Sequence, residues 1–421
     1  MKAYLYLALA LTVAFSVLIA CAAPAAAPSP QQQPAAAVPA EPSAALATFP
    51  YGTFDVKPYD GVFAKIPVPK AITYKFGENG TYTTAGHGFA LGSGTLTVKG
   101  DLITLVGQFL DGSCPEEGTY NWAFDGRALN FTAVQDPCDD RKIGLTGGMT
   151  KQTTAAAAPV AIEKLPNIGT TKSLTVLPLI DSKGLEPLKT EAGVAYLIMT
   201  DDATILLDLG ANRKNEDPSP FLANMQQLGI KWSDIAAIAI SHQHFDHTGG
   251  LKWQFTDSFA PGMEQIDLNG KPVYLPTHLS YPGLTPIVAK QPMPIAKGVA
   301  SIGTLPMTPP GDGPEQILAV NVEGKGVVLI TGCGHPTVPK IVERAKMVFD
   351  EPIVGLIGGL HYPEKDAKLI QERIDFLKGL KLQLIALSPH DSSEEAQTAV
   401  REAYGDAAKD IRVGQPIAFG Q

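Results

Sequence analysis

Charge is sparse in this 421-residue chain: Asp, Glu, Lys and Arg make up 18% of it, and Lys and Arg nowhere cluster. A surface that neutralises phosphates needs such a cluster, and the formal net charge is −9, so DNA and RNA are not expected partners. Aromatic residues are few, at 7%, but 45% of the residues are hydrophobic, which rules out a disordered or collagen-like chain. No internal repeat is visible. Ser241 adjoins His242 without the Gly-x-Ser-x-Gly frame of a nucleophile elbow, so serine catalysis is not expected. The length exceeds what one hydrophobic core organises and suits two domains plus extras.

Histidine is unevenly spread. Of 8 histidines only His87 lies in the first half, in a Gly-rich stretch that reads as a solvated turn. His242, His244, His247, His278, His335, His361 and His390 all lie beyond residue 240, so chemistry is expected there.

Residues 3–20 form an almost unbroken apolar run after Lys2, ending in Leu18-Ile19-Ala20-Cys21. This reads as a secretory signal over residues 1–21 with a lipoprotein cleavage box, Cys21 accepting the lipid. An uncleaved anchor is the alternative, since about 18 apolar residues just span a bilayer. Either way the remainder is expected outside the cytoplasm, and on the lipoprotein reading it is held to the bacterial cell envelope through its lipid anchor. Residues 22–48, rich in Ala and Pro, read as an extended tether. Of the remaining cysteines, Cys114 and Cys138 are near enough in sequence to form a disulfide in an oxidising compartment, with two buried thiols as the alternative; Cys333 stands alone.

Residues 49–151 show short runs of period two, such as Gly118-Thr-Tyr-Asn-Trp-Ala-Phe124, separated by turns at Lys99-Gly100-Asp101 and Asp125-Gly126. They predict a small all-β barrel or sandwich, loosely similar to lipocalin-type barrels, with a binding or spacer role. A linker follows over residues 152–166. From 167 to 421, β-branched runs alternate with helical stretches at Phe221–Leu228, Pro339–Phe349, Asp366–Leu380 and Ser393–Tyr404, the last with Ser392 and Glu395 in capping-box spacing. Such alternation predicts a layered α/β domain.

The apolar run Ile235–Ile240 leads straight into Ser241-His242-Gln243-His244-Phe245-Asp246-His247-Thr248-Gly249-Gly250. Imidazole and carboxylate at this density suit zinc and its first-row neighbours. Placing His242 and His244 on one ion directs Asp246 and His247 to a second. Three further apolar runs end in Cys333-Gly334-His335, Leu360-His361 and Ser388-Pro389-His390. Strand ends are where layered sheets gather ligands, so these are expected to converge. His335 and His390 read as ligands, His361 as a ligand or a substrate contact, and His278 as a loop residue. Gly249-Gly250 reads as a tight turn.

The run His242-Gln-His244-Phe-Asp246-His247, with Leu206-Leu207-Asp208-Leu209-Gly210 before it, resembles the metallo-β-lactamase fold superfamily over roughly residues 170–415. With Gly332-Cys333-Gly334-His335, Gly358-Gly359-Leu360-His361 and Pro389-His390, it is closest to the branch that includes the dihydropterin-type synthases. The resemblance implies an αββα sandwich with a dinuclear site: His242, His244 and His335 around one ion, Asp246, His247 and His390 around the other, and Asp208 orienting a ligand. Many relatives carry a bridging aspartate where this chain has Cys333, which is either a ligand, a neighbour of the site or a small buried residue.

Two divalent ions are therefore expected, zinc first, with manganese or iron as alternatives. Water on such ions loses a proton near neutral pH, and the expected reaction is hydrolysis of an ester, phosphoester, lactone or amide in a small-molecule substrate. Asp246 would orient the nucleophile and His361 would donate to the developing anion. The alternatives are an iron-dependent oxidoreductase on the same scaffold, or a metal-containing binding or sensor lipoprotein without activity. Two long segments, Trp253 to Gln265 and the proline-rich Leu279 to Gly311, read as loops that wall the pocket.

Overall fold

The computed structural model describes residues 48–56, 62–63, 66–67, 72–86, 89–109, 114–152, 161–165, 167–308 and 313–420. The signal over 1–21 with Cys21, all but the last residue of the 22–48 tether, His87 and most of the 152–166 linker lie outside the described residues. No helix among the described residues is long and apolar enough to cross a membrane.

The first folded region contains β1 (Gly52–Val56), a ribbon of β2 (Val62–Phe63) and β3 (Ile66–Pro67), then β4 (Thr73–Phe76), β5 (Thr81–Gly86), β6 (Phe89–Lys99), β7 (Leu102–Phe109), β8 (Gly118–Phe124), β9 (Ala128–Gln135) and β10 (Met149–Lys151). Between a barrel and a sandwich the structure chooses the barrel: β4 to β10 pair in sequence and β1 closes the ring against both β4 and β10. Alternate residues point inward, as the period of two requires, so Phe54, Tyr74, Phe76, Ile103, Leu105, Tyr120 and Leu129 are buried. Cys114 and Cys138 are joined in a disulfide. One element was not foreseen. Helix α1 (Asp139–Thr146) carries Arg141 into the barrel, where its guanidinium meets Asp136 at 2.7 Å.

The second region has two sheets. The seven-stranded one runs β16 (Ile287–Val288), β15 (Val273–Leu275), β14 (Ala237–Ala239), β13 (Thr204–Leu207), β12 (Ala195–Thr200), β11 (Ser173–Ile180) and β23 (Ile417–Gly420). The six-stranded one runs β17 (Met293–Ala296), β18 (Val299–Pro306), β19 (Pro314–Val322), β20 (Gly326–Thr331), β21 (Ile353–Gly358) and β22 (Leu384–Leu387). One apolar cluster draws on both sheets, including Val176, Ile198 and Leu207 from the first and Leu318, Val328 and Ile330 from the second. The opposite face of the six-stranded sheet, including Leu329 and Ile385, packs on α5 (Val338–Val348), α6 (Ala367–Leu380) and α7 (Glu394–Tyr404). The opposite face of the seven-stranded sheet, including Leu197 and Ile238, packs on α2 (Pro220–Gln227). Strands covered on both faces need no polar alternation, which is why β20 to β22 read as unbroken apolar runs.

Three expectations are corrected here. The proline-rich segment from Leu279 to Gly311 is not one long loop, because β16, β17 and β18 lie within it. Pro294 sits in β17, the edge strand of its sheet, where a missing N–H costs no ladder bond. The capping residue of α7 is Ser393, whose hydroxyl accepts from the Ala396 N–H at 3.1 Å, while Ser392 instead donates to Asp391. Likewise the segment from Trp253 to Gln265 begins inside a short helix, α4 (Leu251–Phe255), and the Trp253 ring is buried with its N–H on the Gly262 carbonyl.

Candidate metal centre

Strands β11, β13, β14, β20, β21 and β22 each deliver a polar residue just past their carboxyl ends: Asp181, Asp208, Ser241, Cys333, His361 and Ser388. After β14 the chain turns through His242 and His244 into α3 (Phe245–Thr248), which presents Asp246 and His247. Gly249 ends that helix with φ +89°, and a Cβ there would stand 1.8 Å from the Ala260 carbonyl oxygen, so only glycine fits the turn.

The imidazoles meet as two sets. His242 Nε2 is 2.9 Å from His244 Nδ1, which is 3.2 Å from His335 Nε2. Two nitrogens on one tetrahedral ion stand about 3.3 Å apart, so these atoms face a common centre at ligand spacing. In the second set, His247 Nε2 and His390 Nε2 lie 3.1 and 3.0 Å from Cys333 Sγ, with an Asp246 carboxylate oxygen 3.8 Å from His247 Nε2. The donor chemistry thus fits a pair of divalent ions. His361 stands beside the first set, its ring 4.6 Å from that of His335. His278 is exposed in the irregular segment that follows β15, as a loop residue would be.

Behind each set stands a carboxylate and a serine. Ser241 Oγ donates to Asp208 at 2.6 Å and lies 2.9 Å from His242 Nδ1. A hydroxyl has a single proton, and Asp208 takes it, so His242 Nδ1 must be the donor and Nε2 keeps its lone pair for the centre. Ser388 repeats the device: it donates to Asp181 at 2.6 Å and lies 2.6 Å from His390 Nδ1. Asp181 also accepts from the Tyr196 hydroxyl and the Ser182 N–H. His247 Nδ1 meets Asp208 directly at 2.7 Å. Supports of this kind fix tautomer and ring orientation, and losing one lowers metal affinity about 10- to 100-fold. Ser388→Ala is accordingly expected to weaken binding of one ion by that factor while the other is unaffected, measured by competition against a chromophoric chelator.

Glu315 holds the loop that follows β20. Its buried carboxylate accepts the N–H groups of Cys333, Gly334 and His335 at 3.1, 2.9 and 2.8 Å. Burial is the main reason its carboxyl is pushed up, against the pull of those donors.

Crowding keeps most of the imidazoles neutral, the form that binds metal. Burial, with neighbouring imidazoles, drives His335 down to about 2 and His242 well below the usual range. His390 falls to about 3, again through burial first. His247 goes the other way, up to about 9: burial opposes its charge, but Asp246 and Asp208 outweigh it.

The sequence pointed to every histidine of this cluster, and the structure brings them together. It did not point to Asp181, Glu315 or Ser388. The traces were slight: a serine one or two residues ahead of a strand-end histidine, and a lone acid at either end of an apolar run.

Residues 188–390 match the family model described as Metallo-beta-lactamase superfamily, so the carboxyl-terminal region carries a domain of that superfamily. A curated relative, the 7,8-dihydropterin-6-methyl-4-(beta-D-ribofuranosyl)-aminobenzene-5'-phosphate synthase of Methanocaldococcus jannaschii, is 24% identical over 301 residues, spanning 61% of this chain and 100% of the relative. Among solved structures, a metal-dependent hydrolase of the beta-lactamase superfamily is 19% identical, covering 59% of this chain and 100% of its own, with a TM-score of 0.44. The metallo-beta-lactamase fold protein YhfI from Bacillus subtilis is 16% identical, covering 59% and 100%, with a TM-score of 0.41.

Proposed function

We propose that this chain is a metal-dependent hydrolase, lipid-anchored through Cys21 on the extracytoplasmic side of the cell envelope, that cleaves an ester, phosphoester, lactone or amide. His242, His244 and His335 would hold one divalent ion and Asp246, His247 and His390 the other, with zinc as the first candidate. The convergence of these six side chains, drawn from three separate strand ends, carries the reading. The two sheets with helices on their outer faces support an αββα sandwich, the layering that the superfamily resemblance implies.

Two ions of this kind supply a nucleophile at neutral pH and neutralise charge on a substrate oxygen. The chain's own groups do the remaining work. Asp208 and Asp181, through Ser241 and Ser388, keep His242 and His390 from turning. Asp246 offers carboxylate oxygens that orient the attacking water and accept its proton. His361 is the candidate donor to the substrate: its Nδ1 is buried without a partner among the described residues, and burial holds its pKa low, so the ring is neutral. Its main chain is fixed by an N–H bond to Asp391 at 2.9 Å.

The full chain, purified with its metal, is expected to turn over at least one member of a panel of ester, lactone, β-lactam, amide and phosphoester substrates, and His242→Ala/His244→Ala to abolish that turnover. Metal without turnover would favour a sensor role. Native iron with oxygen consumption would favour an oxidoreductase.

A further inference from the structure

We propose that the Cys333 thiolate is a ligand shared by both ions, a single sulfur standing where a carboxylate bridge would otherwise be needed. This deepens the two-ion reading above and rests on it.

The position of the sulfur is the first argument. Cys333 Sγ is 3.1 Å from His247 Nε2 and 3.0 Å from His390 Nε2, contacts within the second set. It also reaches the first: the ligand atoms of His242, Cys333 and His335 all lie within 4.8 Å of one another, as do those of His247, Cys333 and His390. Sulfur and nitrogen on one tetrahedral zinc stand about 3.5 Å apart, so the sulfur is near ligand spacing from the second set and within reach of the first. Cys333 is the one member common to both groups.

The second argument is how the backbone seats it. Gly332 passes so close to Ser241 that a Cβ would stand 2.1 Å from its hydroxyl oxygen, which brings the chain flush beneath the imidazoles. The Cys333 N–H is then tied to Glu315, the same carboxylate that ties His335. A cysteine serving only as a small buried residue would face apolar neighbours; this one faces imidazole nitrogens. The Asp246 carboxylate, the acidic member of the second set, lies 3.8 Å from His247 Nε2, farther than the sulfur does.

On binding, the S–H bond breaks, the proton leaves to solvent and two sulfur–metal bonds form, with no change in oxidation state. A soft sulfur ligand favours zinc or iron over manganese.

The test loads the full chain with zinc and combines metal analysis with X-ray absorption at the zinc edge. The expected result is two zinc ions per chain and one sulfur neighbour per zinc, averaged over both, at about 2.3 Å. Half a sulfur per zinc would mean a terminal ligand and no sulfur a bystander; either overturns the proposal while leaving the two-ion reading intact. Fewer than two ions per chain would instead break that reading, and the shared sulfur with it. Cys333→Asp, which supplies an oxygen bridge, is expected to keep two ions and lose all sulfur scattering; sulfur scattering that survives in this variant would overturn the assignment to Cys333.

Discussion

His335→Ala is expected to cost the chain the ion of the first set and His390→Ala that of the second, each with a loss of turnover of at least about 10²- to 10³-fold, the scale on which removing electrostatic stabilisation from a reacting centre is felt. Truncating His335 leaves two nitrogens, on His242 and His244, facing a centre that wants four ligands. Truncating His390 leaves His247 and Asp246 in the same position. The two truncated residues have different supports, Glu315 at the His335 N–H and Ser388 with Asp181 behind His390, although Asp208 touches both sets, through Ser241 in the first and at His247 in the second. Metal content per chain is the deciding measurement. Two ions retained in both variants would remove His335 and His390 from the ligand set.

Arg141→Met is expected to destabilise the barrel by about 3–5 kcal/mol, the cost of stranding a buried charge. The Arg141 side chain is 1% exposed and that of Asp136 0%. Their two hydrogen bonds are 2.7 and 2.8 Å long, and the guanidinium also donates to the carbonyls of Cys114 and Glu116. Removing the cation leaves the carboxylate with the Tyr120 hydroxyl and the Cys138 N–H alone. Arg141→Met/Asp136→Asn is therefore expected to lose less than Arg141→Met, because the uncompensated charge goes too. Amide exchange in β7, β8 and β9 reads the change locally; an unchanged protection pattern in Arg141→Met would refute it. The pH dependence has a definite sign. Burial alone would raise the Asp136 carboxyl, but Arg141, Tyr120 and Cys138 bring it below the usual range. Its contribution is thus fully present above the unfolded value of about 3.9 and is lost as pH falls through the lower folded value.

The histidine pattern was legible because chemistry and architecture coincide in it. The spacing of His242, His244, Asp246 and His247 is local, and an apolar run before each of His335, His361 and His390 announces a strand end without any tertiary knowledge. What supports them is not local. Asp181 meets Ser388 across 207 residues, and Glu315 reaches the N–H groups of a loop that begins 18 residues later. Single acids and serines carry no such signature until the sheets are assembled. Prolines misled for a related reason: at Pro294 they mark an edge strand, and whether a strand is central or at the edge is a property of the sheet. In the barrel the alternation was readable strand by strand, but closure was not, since pairing of β1 with β10 joins residues far apart in sequence.

That closure differs from the way the second region completes itself. In the barrel, the strand at the start and the strand at the finish, Gly52–Val56 and Met149–Lys151, are partners, so the ring lacks nothing once residue 151 has been made. In the other region β11 (Ser173–Ile180) takes β23 (Ile417–Gly420) as its outer neighbour, a partner made long after β11 itself. With domains generally folding as units during synthesis, amino-terminal ones first, the nascent chain would carry a finished barrel while the two-sheet region still waited for its outer strand.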